Sequence, residues 1–217
     1  MRLLLAGGTG LIGGEVLRLG MKNGHEITTV GRRPTGIASS EIVSCFDKLP
    51  RLPPADIAIC ALGTTIRQAG TKAAFRAIDE EAVVSFATAA KAAGVDHFLV
   101  VTAVGANPDA SVFYSRVKGQ TEGQLMTMGF KRLDITRPGL LLGDRKEHRP
   151  IEALLQHIAP ATDLLMRGKW RRYRSVQAAD AAQCVLGLAA NNKPGAYTHH
   201  VEDNIKVLQS PSQDVTK

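Results

Sequence analysis

Residues 2–13 constrain the fold of this chain more than any other stretch. Arg2-Leu3-Leu4-Leu5-Ala6 is a short apolar run, Gly7-Gly8-Thr9-Gly10-Leu11-Ile12-Gly13 follows at once, and an amphipathic stretch continues to Asn23. An apolar strand that breaks into glycines and resumes as a helix is the arrangement that holds the pyrophosphate of a dinucleotide. Gly7 suits a tight turn, Gly10 puts no side chain in the way of phosphates, and Gly13 lets helix and strand pack closely. Backbone N–H groups at the helix start have no partner within the helix and face the anion. The glycine spacing is G-x-x-G-x-x-G rather than G-x-G-x-x-G, so the reading leans on the strand before it and the helix after it.

The rest of the chain alternates strand and helix. Strands are expected over 3–6, 25–30, 41–43, 56–61, 97–102, 133–137 and 196–201. Helices are expected over 11–23, 72–93, 112–128, 151–166 (interrupted at Pro160) and 178–190, with an extended piece over 173–176 and a frayed tail from Ser210. This order implies an α/β fold, a doubly wound parallel sheet covered on both faces by right-handed crossovers. Ligands of such sheets bind beyond the carboxyl ends of the strands. The site is therefore expected from residues 7–13, 31–33, 62–65, 102–105 and 138–141, within a single domain over 1–217 that carries a small substrate-covering lobe inside 143–174.

Bulk properties narrow the function. The 217 residues are 44% apolar and 22% charged, enough for one well-buried core. The apolar runs are strand-length, so no membrane span is expected, and the run at the amino end stops at Gly7, short of a signal-peptide core. Cys45, Cys60 and Cys184 are odd in number and far apart, which argues against a disulfide framework and for a reducing, cytoplasmic setting. No His or Cys pair has metal-site spacing; His199 and His200 are adjacent and point to opposite faces of a strand. The net charge is +7, and residues 131–174 hold eleven Lys or Arg against five Asp or Glu. Aromatic residues are only 5% and do not alternate with the basic ones, so a nucleic-acid platform is not expected. An anionic cofactor or an anionic small-molecule substrate explains the charge better.

A second motif carries chemistry. Tyr114-Ser115-Arg116-Val117-Lys118 follows the fifth expected strand, and residues four apart share a helical face. A phenol alone ionises near 10, and a neighbouring cation favours the phenolate, so Lys118 is expected to bring Tyr114 toward neutrality for proton transfer beside a hydride transfer. A third hydroxyl to polarise a carbonyl is offered by Thr102 at the strand end or by Ser111, three residues before Tyr114. Cofactor choice has its own signal. An acidic residue at the end of the second strand would bind a ribose hydroxyl, whereas here Val30-Gly31 leads into Arg32 and Arg33, which suit a 2′-phosphate.

With these motifs the chain resembles the short-chain dehydrogenase/reductase superfamily, and most closely its atypical members related to the Tat-interacting protein. The resemblance rests on Gly7 to Gly13, on Tyr114 with Lys118, on Leu62-Gly63-Thr64-Thr65, on Val117-Lys118-Gly119 and on Arg137-Pro138-Gly139-Leu140-Leu141-Leu142-Gly143-Asp144-Arg145, and covers residues 2–190. It implies a Rossmann-like NAD(P)-binding fold, Tyr114 as acid/base, Lys118 on the nicotinamide ribose, and Thr102 where the family more often has Ser. Cofactor contacts fall to Gly7, Thr9, Gly10, Leu11, Ile12 and Gly13, to Arg32 and Arg33, to Ala61, Leu62, Gly63 and Thr64, and to Lys118, Pro138, Gly139 and Leu140. No counterpart of the family's proton-relay Asn stands out; Asp79 is near in sequence and is not its equivalent. The expectation is an NADP(H)-dependent oxidoreductase acting on a carbonyl or alcohol, monomeric or homodimeric, with NAD(H) the other cofactor considered. Two other readings stand beside it: an NADP(H)-binding sensor or interaction module with little turnover, and a sugar-nucleotide epimerase or dehydratase.

Overall fold

The computed structural model describes residues 1–142 and 172–201. Seven parallel strands form the main sheet. In chain order they are β1 (Arg2–Ala6), β2 (Glu26–Gly31), β3 (Ser40–Val43), β4 (Ile57–Cys60), β5 (His97–Val101), β6 (Arg132–Arg137) and, after the short pair β7 (Leu140–Leu142) and β8 (Ser175–Gln177), β9 (Gly195–His200). Their order across the sheet is β3-β2-β1-β4-β5-β6-β9, with β7 and β8 paired apart in a two-stranded ribbon. The order reverses between β1 and β4, and the crevice above that reversal is where the doubly wound fold binds its ligand.

The helices are α1 (Leu11–Lys22), α2 (Ile66–Ala69), α3 (Lys72–Arg76), α4 (Ala82–Ala92), α5 (Phe113–Thr127) and α6 (Ala178–Ala189), with a π-helical turn over Ala77–Glu81 joining α3 to α4. The central strands are apolar without alternation because helices cover both of their faces. Leu3, Leu5, Ile59 and Leu99 point to the side packed by Val16 and Leu17 of α1 and Val185 of α6. Leu4, Ala6, Cys60 and Phe98 point to the other, where Val83 and Phe86 of α4 and Leu125 of α5 close the core. Burying a side chain of this size stabilises the fold by about 1.5–3 kcal/mol.

Among the described residues the expected strands and helices are recovered, with these differences. The helix expected over 72–93 is broken in the middle by the π-turn. The short helix α2 was not expected, although Thr65 caps it by accepting the Gln68 N–H at 3.1 Å, a Thr-x-x-Gln signature of a helix start. Residues 140–142, expected as loop, form β7, while Arg172 and Tyr173 lie in a 3-10 turn and the extended piece begins only at Ser175. Of the lobe expected within 143–174, only 172–174 lie among the described residues; the helix expected over 151–166 and the tail from Ser210 lie outside them.

At the far end of the sheet from the crevice, Asp134 of β6 gathers a buried cluster. It accepts His97 Nε2 at 2.7 Å, His199 Nε2 at 2.7 Å and Arg132 Nε at 2.6 Å, so β5, β6 and the edge strand β9 meet on one carboxylate. Burial alone would raise this carboxyl, but the bonds from His199, His97 and Arg132 outweigh it and hold Asp134 well below the usual range. A depressed carboxyl lends its full stability above the ordinary value near 4 and loses it as pH falls toward the folded value. Asp134→Ala leaves Arg132 buried without its carboxylate, so denaturant unfolding at neutral pH is expected to show a loss of about 3–5 kcal/mol. The variant is also expected to lose less further stability than the parent below about pH 4.

Candidate active site

Three turns meet above the β1/β4 reversal. Gly7 has φ +88°, and a Cβ there would lie 2.5 Å from the Ala61 carbonyl oxygen, so β1 and β4 approach this closely only because residue 7 is glycine. A Cβ on Gly13 would run into the Gly7 carbonyl, which makes Gly13 the contact between helix and turn. Gly10 differs, for a Cβ there meets only the Gly7 oxygen at 3.2 Å, and its outer side is exposed. The first turn of α1 carries no acidic residue, and Gly10 makes no side-chain cap hydrogen bond, so the N–H groups of that turn have no intrahelical acceptor. Thr9 is exposed beside them, Leu11 is half-buried and Ile12 joins the core.

Arg32 and Arg33 are exposed just past β2. Their loop is fixed by Glu41 of β3, which accepts the Thr35 N–H at 2.8 Å, the Gly36 N–H at 2.8 Å and the Thr35 hydroxyl. Those bonds hold the Glu41 carboxyl below its ordinary value. On the opposite flank, the Val104 N–H reaches the Pro138 carbonyl at 3.0 Å and ties the loops after β5 and β6 together. Pro138 is buried, Gly139 half-buried and Leu140 exposed.

Tyr114 and Lys118 lie on one face of α5, as the four-residue spacing requires. Lys118 is buried, and its Nζ is 2.7 Å from Oδ1 of Asp79, a residue of the π-turn that is also fully buried. Asp79 Oδ2 accepts the Thr64 N–H at 2.9 Å, and the Asp79 carbonyl accepts the Thr121 hydroxyl at 3.0 Å. Gly63 lies over the pair; a Cβ there would be 3.5 Å from Asp79 Oδ1 and 3.6 Å from Lys118 Nζ. Asp79 therefore joins the loop after β4 to α5. The sequence offered Asp79 only as a neighbour, not an equivalent, of the family's relay Asn; in the structure it is a buried residue of the π-turn.

The electrostatics depart from expectation at Tyr114. Burial raises its phenol, and Asp79 adds to this, so the pull of Lys118 is overcome and Tyr114 lies above the ordinary tyrosine value rather than nearer neutrality. At Lys118 burial favours the neutral amine, but the Asp79 carboxylate outweighs it and holds the ammonium above the usual lysine value. Burial lifts Asp79 itself against the pull of Lys118. The two groups stand as a buried pair 2.7 Å apart, with the Thr64 N–H on the other carboxylate oxygen. The Cys60 thiol beneath is buried and pushed up to about 12, so it stays neutral.

Thr102 lies at the end of β5, but its hydroxyl donates to Glu122 Oε1 at 2.6 Å inside the protein. Glu122 also takes Arg137 Nε at 3.0 Å in a two-pronged ion pair. The Thr102 proton is thus committed to Glu122. Glu122 carried no sequence assignment; its signal was its place four residues beyond Lys118, on the face shared with Tyr114. Ser111 is exposed at the start of α5, where its carbonyl accepts Arg116 Nη1 at 3.0 Å. Among the described residues no group of three or more His, Cys, Asp or Glu could hold a metal ion, and no helix is long and apolar enough to cross a membrane.

No protein-family model matches the chain. It is 36% identical over 165 residues to rat Protein HTATIP2, covering 70% of this chain and 67% of that protein. It is 30% identical over 219 residues to Protein FMP52-2, mitochondrial, of Scheffersomyces stipitis, covering 94% of each. Among solved structures, human epimerase family protein SDR39U1 with NADPH superposes with a TM-score of 0.66 at 23% identity, over 92% of this chain and 74% of that one, a likeness of fold. These relatives correct the cytoplasmic setting read from the cysteines, since several FMP52 proteins are named mitochondrial. Cysteines too few and too far apart for a disulfide framework do not say which compartment a chain occupies.

The hydrogen bond from Thr102 to Glu122 gives this residue a measurable structural weight. Thr102→Val leaves a buried carboxylate oxygen short of one donor, and thermal or denaturant unfolding is expected to show a loss of about 1–3 kcal/mol. Thr102→Ser keeps the donor and is expected to retain most of it.

Proposed function

The chain belongs to the HTATIP2/FMP52 group of atypical short-chain dehydrogenase/reductases, and we propose that it is an NADP(H)-dependent oxidoreductase acting on a carbonyl or alcohol of a small molecule. The observation that carries this reading is the Tyr114–Lys118 face of α5, set beside the Gly63–Thr64 loop and linked to it through Asp79.

The residues fit a dinucleotide. The bare helix start at Gly10 offers N–H groups to a pyrophosphate, and Gly10 is the glycine of the turn that the protein's own packing does not require. Gly7, Thr9, Gly10, Leu11, Ile12 and Gly13 would hold the phosphates. Ala61, Leu62, Gly63 and Thr64 would line the middle of the molecule, and Lys118, Pro138, Gly139 and Leu140 its nicotinamide end. The bound cofactor supplies the hydride or accepts it. Tyr114 holds the proton that passes to or from the substrate oxygen, and Lys118 steadies the charge left behind. Arg32 and Arg33 would clamp a 2′-phosphate in a loop fixed by Glu41.

The second reading, a cofactor-binding module with little turnover, draws on one observation: the Thr102 hydroxyl is committed to Glu122 and not to a substrate oxygen. Tyr114→Phe separates the two. On a carbonyl panel followed by nicotinamide absorbance, the variant is expected to keep cofactor affinity and lose at least about a hundredfold in turnover. Equal turnover in parent and variant would remove Tyr114 from the mechanism.

Cofactor choice is tested at the end of β2. Replacing Arg32 and Arg33 by alanine removes charge-assisted bonds and is expected to weaken NADP(H) binding by about ten- to a hundredfold in calorimetry. NAD(H) binding is expected to change little, and added salt to narrow the parent's preference. Equal loss of both cofactors would make the arginines surface charge.

A further inference from the structure

The glycine turn and the loop that carries Arg32 and Arg33 meet at Gly8. A Cβ on Gly8 would lie 3.2 Å from the Thr35 methyl and 3.2 Å from the Thr29 methyl, so the turn packs this closely on both threonines because residue 8 is glycine. Thr35 is held at that contact by one oxygen atom. Glu41 Oε1 accepts the Thr35 N–H at 2.8 Å, the Gly36 N–H at 2.8 Å and the Thr35 hydroxyl. Gly36 has φ +77°, the left-handed conformation in which successive N–H groups converge on one acceptor. Glu41 is itself fixed by the sheet, where it stands in register with Thr29 of β2. The loop is therefore anchored at both ends, by β2 before Arg32 and by a carboxylate of β3 after Arg33. A carboxylate beside an expected phosphate site is unfavourable on charge alone. Three donors gathered on one oxygen give it a different purpose.

We propose that Glu41 is a positioning residue for cofactor choice: it latches Thr35 against Gly8, and the latch holds Arg32 and Arg33 where the 2′-phosphate of NADP(H) meets them. This rests on the NADP(H) preference proposed above and deepens it. Without the latch, residues 32–36 sample many arrangements, and the entropy of ordering them falls on the binding step. NADP(H) bears that cost because its phosphate needs both arginines in place. NAD(H) has a hydroxyl there, makes no such demand and loses little. Glu41 acts on the preference through Thr35.

Removing Glu41 has two effects of opposite sign. On charge alone, loss of a carboxylate beside two arginines strengthens binding of a phosphate. Loss of the latch weakens it. In calorimetry with NADPH and with NADH, Glu41→Ala is expected to lower the ratio of NADPH to NADH affinity by about tenfold, with NADH affinity itself within about twofold of the parent's. Glu41→Gln keeps an acceptor oxygen in the same place without the charge, and its ratio is expected to match or exceed the parent's. A folded Glu41→Ala protein whose ratio equals or exceeds the parent's overturns the proposal. So does a Glu41→Gln ratio as low as that of Glu41→Ala, since charge and not the anchored loop would then set the preference.

The latch can also be read in the free protein. By NMR, the Thr35 and Gly36 amides are expected to exchange with solvent about tenfold faster in Glu41→Ala than in the parent, with Glu41→Gln close to the parent. Equal exchange in parent and Glu41→Ala overturns the proposal whatever the cofactor affinities. The two levels of the argument fail differently. If the Arg32→Ala, Arg33→Ala double variant loses the preference and Glu41→Ala keeps it, the latch alone is refuted. If the double variant keeps the preference, the arginine clamp is refuted and the latch with it. Should Glu41→Ala not fold, Thr35→Ala removes the methyl at Gly8 and the hydroxyl at Glu41, and is expected to lower the ratio by about threefold or more. An unchanged ratio in that variant overturns the proposal.

Discussion

Helix α5 buries charge on the face where a core helix ordinarily buries leucine. Tyr114, Lys118 and Glu122 stand four residues apart, and each charged group is answered from a different element: Lys118 by Asp79 of the π-turn, Glu122 by Arg137 at the end of β6 and Thr102 at the end of β5. A buried charge without a partner is strongly destabilising, so these contacts fix where the three elements can sit relative to α5. The loops after β4, β5 and β6, which build the crevice, inherit their positions from that requirement.

Strand β6 is pinned by ions at both ends. Near its start, Arg132 and Asp134 hold His97 and His199 and so bind β5 and β9 into the sheet. At its end, Arg137 reaches Glu122 and leads directly into Pro138. The first cluster lies away from the crevice and serves the sheet; the second lies beside it and orients the loop that would flank the nicotinamide. Two ionic clusters on one six-residue strand thus have different work because the strand's carboxyl end alone faces the ligand side.

The order of elements, the parallel sheet and the glycine turn were legible in the sequence because they rest on local patterns: continuous apolar runs, a break at glycine and a helix beyond. The Tyr114–Lys118 face was legible because four residues make one helical turn. What the sequence did not disclose depends on contacts between distant segments. Asp79 reads as an ordinary helix residue until the π-turn rotates it onto Lys118, thirty-nine positions away. Thr102 has the right chemistry to polarise a carbonyl, but its partner Glu122, twenty positions on, takes its proton. Tyr114 illustrates the same limit: spacing reveals the cation, while the burial and counter-charge that decide its ionisation come from the fold.

The ribbon of β7 and β8 links two parts of the protein that are far apart in the chain. The two strands pair in parallel, Leu140 beside Ser175 and Leu142 beside Gln177. Leu140 lies two residues past Pro138, and Gln177 directly precedes α6, which packs against the same core as α1. The loop that follows β6 and the helix on the α1 side of the sheet therefore share one register: a residue gained or lost in either short strand shifts both together.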